Sequence, residues 1–147
     1  MFKNILVPTD GSSLSRRAIK VAVRLAAEQK ARVTGFFVGP EWKAHLEGDA
    51  STYRFISPAQ HSANVRKMAD RHLEAVREAA AAAGVSCRCV HVTGSYPYEE
   101  IVKAARQNRC DLICMASHGR RGISRLLLGS ETSKVLAHAS IPVLVCR

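Results

Sequence analysis

No uncharged apolar run in this chain approaches the ~18 residues that a membrane-spanning helix requires, which excludes a transmembrane span. Aromatic residues make up only 5% of the chain and form no motif of the kind that stacks bases. A single-stranded nucleic-acid platform is therefore disfavoured. Also missing are the Gly-x4-Gly-Lys-[Ser/Thr], Gly-x-Gly-x-x-Gly, Gly-x-Ser-x-Gly and His-Glu-x-x-His patterns. Their absence removes the P-loop, the dinucleotide fingerprint, the nucleophile elbow and the zinc-peptidase helix. The five cysteines include no Cys-x-x-Cys and no zinc-like spacing. They are expected to pack as small hydrophobes, with redox sensing or metal binding as the alternative.

Acidic residues are scarce as well, with 12 Asp and Glu against 22 Lys and Arg, for a net charge of +10. Such an imbalance raises nucleic acid as a partner, but the placement of the cations argues otherwise. Arg16, Arg17, Lys20 and Arg24 recur around one helical stretch. Arg66, Lys67, Arg71 and Arg77 share another with Asp70, Glu74 and Glu78, where Arg66 and Asp70 have the i,i+4 spacing of a surface ion pair. Both read as solvated faces. Met1-Phe2-Lys3-Asn4 runs directly into an apolar strand, leaving no room for the apolar region of a signal peptide, so the expected compartment is the cytoplasm.

What the chain does contain is an alternation of strand and helix patterns over 147 residues, the size of one domain. The expected order is a strand at about Asn4 to Val7, a helix from Ser12 or Ser13 to near Lys30, and a strand from Arg32 to Val38. Residues 40 to 60 show no periodicity and read as a loop that covers the pocket or carries a short helix. A helix from Ala59 to Ala83 follows, stopped by Gly84. Next come a strand from Val85 to Val92, a helix from Pro97 to Gln107 and a strand from Asp111 to Ala116. Ser130 to Ala139 reads as a helix with Ser130 as its N-cap, and Val143 to Cys146 as a last strand. Alternating elements of this kind imply an α/β fold: a parallel sheet with right-handed crossovers and helices on both faces, a three-layer sandwich.

The most informative stretch is Ala116-Ser117-His118-Gly119, followed by nine loop residues and then Gly129-Ser130. An apolar strand leads into it and a helix leads out. Free backbone N–H groups and the helix dipole both favour an anion at such a junction, and its length exceeds the ~2–6 residues usual between strand and helix. Phosphate binding and a plain surface loop both fit this pattern. Arg120, Arg121 and Arg125 would add positive field to a phosphate site.

These residues resemble the universal stress protein family. The resemblance rests on Ile5-Leu6-Val7-Pro8-Thr9-Asp10-Gly11-Ser12 at one end of the chain. At the other it rests on Gly119, Gly122, Gly129 and Ser130 in the pattern Gly-x2-Gly-x9-Gly-[Ser/Thr], with Ile141-Pro142-Val143-Leu144-Val145 beyond. One position departs, Ala116 standing where the family motif has its first glycine. The resemblance implies a single universal stress protein domain over residues 1–147 and a Rossmann-like sheet in strand order 3-2-1-4-5. It implies ATP as bound ligand, with Mg²⁺ held through the phosphates. Asp10 would meet a ribose hydroxyl or lie near the base, with a helix N-cap as its alternative role; Val38 would offer backbone groups to adenine, and Pro8 and Thr9 would line the base pocket. Gly119, Gly122, Gly129 and Ser130 would present N–H groups to phosphate, with further bonds from the Ser130 hydroxyl and Thr132. Met115, Ala116, Ser117, His118, Arg120 and Glu131 complete the expected nucleotide site. The resemblance also implies a homodimer through Pro142 to Arg147, an edge strand in need of cover, and a regulatory role toward a protein partner. Slow ATP hydrolysis and a nucleotide-free interaction module are the alternatives.

Overall fold

The computed structural model describes residues 1–43, 46–47, 54–120 and 128–147. Its strands are β1 (Asn4–Pro8), β2 (Arg32–Gly39), β3 (Leu46–Glu47), β4 (Arg54–Phe55), β5 (Cys87–Thr93), β6 (Leu112–Ala116) and β7 (Val143–Cys146). Its helices are α1 (Ser13–Gln29), α2 (Pro58–Ala82), α3 (Pro97–Gln107) and α4 (Ser130–His138). The main sheet is five-stranded in the order β5-β2-β1-β6-β7, and every pairing in it is parallel. Counted along the chain, that is the expected order 3-2-1-4-5.

Side-chain alternation divides the core into two layers. Ile5 and Val7 of β1, with Leu112, Cys114 and Ala116 of β6, point to one face and pack against Ala18, Ala22 and Ala26 of α1 and Leu73 and Val76 of α2. Leu6, Ile113 and Met115 point to the other face, against Ile101 and Ala104 of α3 and Val135 of α4. Because both faces of the central strands are covered, β1 and β6 read as continuous apolar runs rather than alternating ones.

The amino ends of the strands are fastened by polar side chains. Asp111 accepts the backbone N–H groups of Lys3 and Asn4 at 2.8 and 3.0 Å. The Asn4 amide donates to the Asn108 carbonyl and accepts the Thr34 hydroxyl, each at 2.9 Å. Helix ends follow ordinary capping chemistry: Ser12 caps α1 by accepting from the Ser15 N–H, and Ser57 caps α2 by accepting from the Gln60 N–H.

Several expectations are corrected. Within residues 40 to 60 the described residues hold a short antiparallel strand pair, with Leu46 opposite Phe55 and Glu47 opposite Arg54, and the start of α2 at Pro58; the rest of the expected loop or short helix lies partly outside the described residues. The third sheet strand begins at Cys87, not Val85, because Gly84 takes φ +64° and Val85 donates its N–H back to the Ala80 carbonyl, closing α2. Asp70 pairs with Arg77 at 3.7 Å, not with Arg66, and Arg77 also bonds Glu74 at 3.1 Å. Among the described residues no helix is long and apolar enough to cross a membrane.

Candidate functional site

The strand order reverses between β1 and β6, and in open parallel sheets the crevice beyond the carboxyl ends at such a point receives ligands. Pro8, Thr9 and Asp10 leave β1 there, Val38 lies near the end of β2, and Met115 to Arg120 leave β6. Thr9 is buried; its N–H donates to the Phe36 carbonyl at 2.9 Å, and its hydroxyl lies 3.1 Å from that of Ser15.

Asp10 joins the two halves of the crevice. One carboxylate oxygen accepts the Ser12 N–H at 3.0 Å and the other accepts the Arg120 N–H at 2.8 Å, across 110 residues of sequence. Burial pushes its pKa up, but bonds from the Ser12 hydroxyl and N–H, the Arg120 N–H and the Ser15 hydroxyl more than offset this, so the carboxyl sits below its ordinary value. Asp10 is therefore not the cap of α1, which is Ser12. Gly119 lies so close that a Cβ there would stand 2.8 Å from the Asp10 carboxylate.

Sequence reasoning missed His72. It projects from α2 over Gly11, whose φ of +78° lets the chain turn and whose missing Cβ leaves room for the imidazole. Burial lowers the His72 pKa, the Arg120 guanidinium adds to this, Asp10 opposes it, and Arg71 and Arg16 lower it further. Its charge neighbours thus come from both crevice loops. The signal in the sequence was slight, a histidine in a long amphipathic helix with nothing nearby along the chain.

The phosphate-side residues are arranged differently from expectation. Gly129, not Ser130, is the N-cap of α4, and it has no side chain with which to cap. The Gly129 N–H donates to the Ser117 carbonyl at 2.8 Å, so it is spent on holding the loop closed. The buried Thr132 hydroxyl is spent in the same way, donating to the Ala116 carbonyl at 2.9 Å. Glu131 turns toward α3, accepting the Tyr98 N–H at 2.9 Å and pairing with Lys134 at 3.2 Å. These bonds pin the start of α4 to the end of β6. The first-turn N–H groups of Ser130, Glu131 and Thr132 have no partner within the helix.

A Cβ at Gly129 would lie 3.1 Å from the Ser117 carbonyl oxygen and 3.2 Å from the His118 Cα, so glycine permits this close approach of helix and strand. Ser117 is buried, its N–H donating to Cys146 at 2.7 Å, and its hydroxyl lies 3.0 Å from His118 Nδ1. Ala116 lies in regular β6 backbone, opposite Cys146, without positive φ. Alanine in place of the motif glycine therefore incurs no backbone strain there. Gly122, Arg121 and Arg125 lie outside the described residues. At the far end of the sheet, an open depression of about 760 Å³ is lined by residues including Lys3, Lys30, Arg32 and Arg109. It is remote from the crevice.

A doubly wound parallel sheet with a glycine at a helix start across from an acidic strand end defines a Rossmann-like α/β protein. The universal stress protein family model matches residues 1–147, and the chain belongs to that family. Universal stress protein YxiE of Bacillus subtilis is 34% identical over 151 residues, spanning 100% of each chain. The solved structure of MJ0577, a universal stress protein of Methanocaldococcus jannaschii, superposes with a TM-score of 0.81 at 28% identity, covering 99% of this chain and 96% of that one. A universal stress protein solved in complex with cAMP shares the fold, with a TM-score of 0.71 at 24% identity over 99% of this chain and 97% of its own.

Proposed function

We propose that this chain binds an adenine nucleotide, ATP with Mg²⁺, between the ends of β1 and β6 and serves as a cytoplasmic regulator in stress physiology. The observation that carries this reading is the start of α4. It is pinned against β6 by Gly129 and Thr132, yet its N-cap residue is a glycine that supplies no acceptor to the first-turn N–H groups. By contrast, α1 and α2 are capped by serines, and the first turn of α3 receives the Glu131 carboxylate. Phosphate oxygens fit that vacancy in hydrogen bonding and in charge, because the helix N-terminus carries a partial positive charge. The cAMP complex of a family member supports an adenine nucleotide as the ligand class.

In this reading Ser130 and Gly119 would meet the phosphates and Arg120 would add positive field, while Mg²⁺ would be held through the phosphates and would supply neutralising charge there. Pro8, Thr9 and Val38 border the base, and Asp10 meets the ribose while keeping its hold on Arg120. A nucleotide touching both loops would stabilise their junction, and that change is the signal passed to a protein partner. The exposed edge of β7, Pro142 to Arg147, forms the homodimer; β6 occupies only one of its sides, and Leu144 is 37% exposed.

The test is calorimetric titration with Mg-ATP, preceded by mass analysis of small molecules released from the purified protein by denaturation. Gly129→Asp places a carboxylate at the N-cap, where it occupies the first-turn N–H groups from within, with Gly129→Ala, whose Cβ meets the same Ser117 oxygen at 3.1 Å, as the reference that carries the crowding without the carboxylate. Affinity should fall at least about tenfold, roughly 1.4 kcal/mol, while circular dichroism stays native. Wild-type protein that releases no nucleotide and gives no heat on titration refutes the reading, as does unchanged affinity in the variant.

A further inference from the structure

Two pairs of thiols come within van der Waals reach of each other, and only one of them is accessible. Cys114 and Cys146 lie 3.7 Å apart inside the core. Burial pushes the Cys114 thiol well up and the neighbouring sulfur adds to this, while Cys146 beside it is buried in the same core. Cys87 and Cys89 are instead half-buried on β5, an edge strand bonded on one side only, to β2. Residues two apart in a strand share a face, and their sulfurs lie 3.9 Å apart. That face lies against α2, where Cys89 Sγ is 4.0 Å from the Leu73 carbonyl.

The geometry points to Cys87 and Cys89 as a reversible dithiol that is oxidised by hydroperoxides, with Cys87 as the attacking sulfur and Cys89 as the resolving one. Two sulfurs on one face, within a side-chain rotation of bonding, at a sheet edge that a small oxidant reaches, are what the chemistry needs. The charges facing the pair come from α2: Arg77 favours thiolate, and Glu74 opposes it at Cys89. The Cys87 thiol is lowered to about 7, chiefly by a hydrogen bond from the Cys89 thiol, against the cost of burial and with help from the Gly35 N–H and Arg77. Cys89 is pushed up because its proton is shared with that thiolate. One proton thus leaves the pair near neutral pH and the other is retained.

The Cys87 thiolate attacks the outer oxygen of ROOH, the O–O bond breaks, and with one proton from solvent the products are Cys87–SOH and ROH. The Cys89 sulfur then attacks the Cys87 sulfur, an S–S bond replaces the S–O bond, and the Cys89 proton leaves with the hydroxyl as water. The peroxide gains two electrons and the dithiol loses two. Strand geometry separates alternate Cα atoms by roughly 6.6 Å, near the upper end of the ~4.4–6.8 Å that a disulfide spans. The product is therefore strained and easily reduced by a thiol, which makes the site reversible.

The experiment treats native protein with one equivalent of hydrogen peroxide at pH 7, blocks free thiols, and reads intact mass. Wild type should lose two hydrogens to the disulfide, carry two fewer blocking groups than untreated protein, and recover both thiols with dithiothreitol. Cys89→Ser should stop at a sulfenic acid on Cys87 that a dimedone probe captures. Cys87→Ser should react about tenfold more slowly, because a half-ionised thiol holds on the order of ten times more thiolate than an ordinary cysteine at this pH. Independently of any variant, alkylation of wild-type Cys87 against pH should show an inflection near 7. First oxidation at Cys110, Cys114 or Cys146, sulfinate in place of disulfide in wild type, or an alkylation inflection above 8 overturns the assignment.

Discussion

Among the described residues the bond from Asp10 to the Arg120 N–H couples the two loops of the crevice, and a double-mutant cycle with Gly119 tests it. A Cβ on Gly119 would stand 2.8 Å from the same carboxylate oxygen that accepts Arg120. Gly119→Ala must therefore displace the Asp10 side chain and break that bond. Hydrogen bonds to a charged group contribute about 1.5–3 kcal/mol. With Asp10 half-buried and Arg120 exposed, the lower end applies, so Gly119→Ala should cost about 1.5 kcal/mol. Asp10→Ala also removes the Ser12 bond and should cost about 2 kcal/mol, lowering Tm by roughly 4–8 °C for a domain of this size. In the Asp10→Ala background there is no oxygen left to displace, and Gly119→Ala should cost nearly nothing.

The cycle should then show a coupling of about 1.5 kcal/mol, measured by urea unfolding at pH 7. The dependence on pH carries a sign. Because the folded-state pKa of Asp10 is lowered, its contribution is complete above the unfolded value of 3.8 and is lost as pH falls through the folded one. Costs that add within about 0.3–0.5 kcal/mol would refute the coupling.

Three further outcomes follow from the same geometry. His72 is held below its unfolded pKa of 6.5, so the unfolded chain binds the extra proton first and stability falls as pH drops below that value; His72→Gln should flatten the pH dependence of stability below 6.5. Gly84 takes φ +64° with nothing within 4 Å of its would-be Cβ, so Gly84→Ala should cost about 1 kcal/mol from backbone alone, whereas Lys30, at φ 55°, should gain by roughly half that when changed to glycine; thermal unfolding of both variants checks the opposite signs. A charge at Val143 or Val145 of β7 should give monomers by light scattering, and a dimer that survives both changes would rule out this edge as the interface.

The fold was legible because its signals are local. Asp111-Leu112-Ile113-Cys114-Met115-Ala116 is too short and too apolar to be anything but a doubly buried strand, and Pro97, Gly84 and Pro142 mark element ends by backbone chemistry alone. The hairpin at Leu46 and Phe55 escaped notice because two-residue strands carry no readable period. Around the crevice, single hydrogen bonds account for what the sequence does not display. Ser130 looks like a cap because serine usually is one, yet the chain enters α4 through Gly129, whose N–H is taken by Ser117. The side chains of Thr132 and Glu131 look available for phosphate until their partners, Ala116 and Tyr98, are brought beside them, which leaves the backbone N–H groups of these two residues as the donors on offer.

Apolar period, proline, glycine and capping residues act over a few neighbours, so the alternation of elements, the family and the two ends of the chain that meet at the crevice are readable along the chain. Packing in three dimensions set Asp10 to clasp Arg120, laid His72 over Gly11, and left Cys87 and Cys89 half-buried on one face while Cys114 and Cys146 were sealed in the core. Those contacts arise between residues far apart in sequence or from unequal burial. Both depend on how the helices settle on the sheet, a property of the packed whole that no short window of sequence contains.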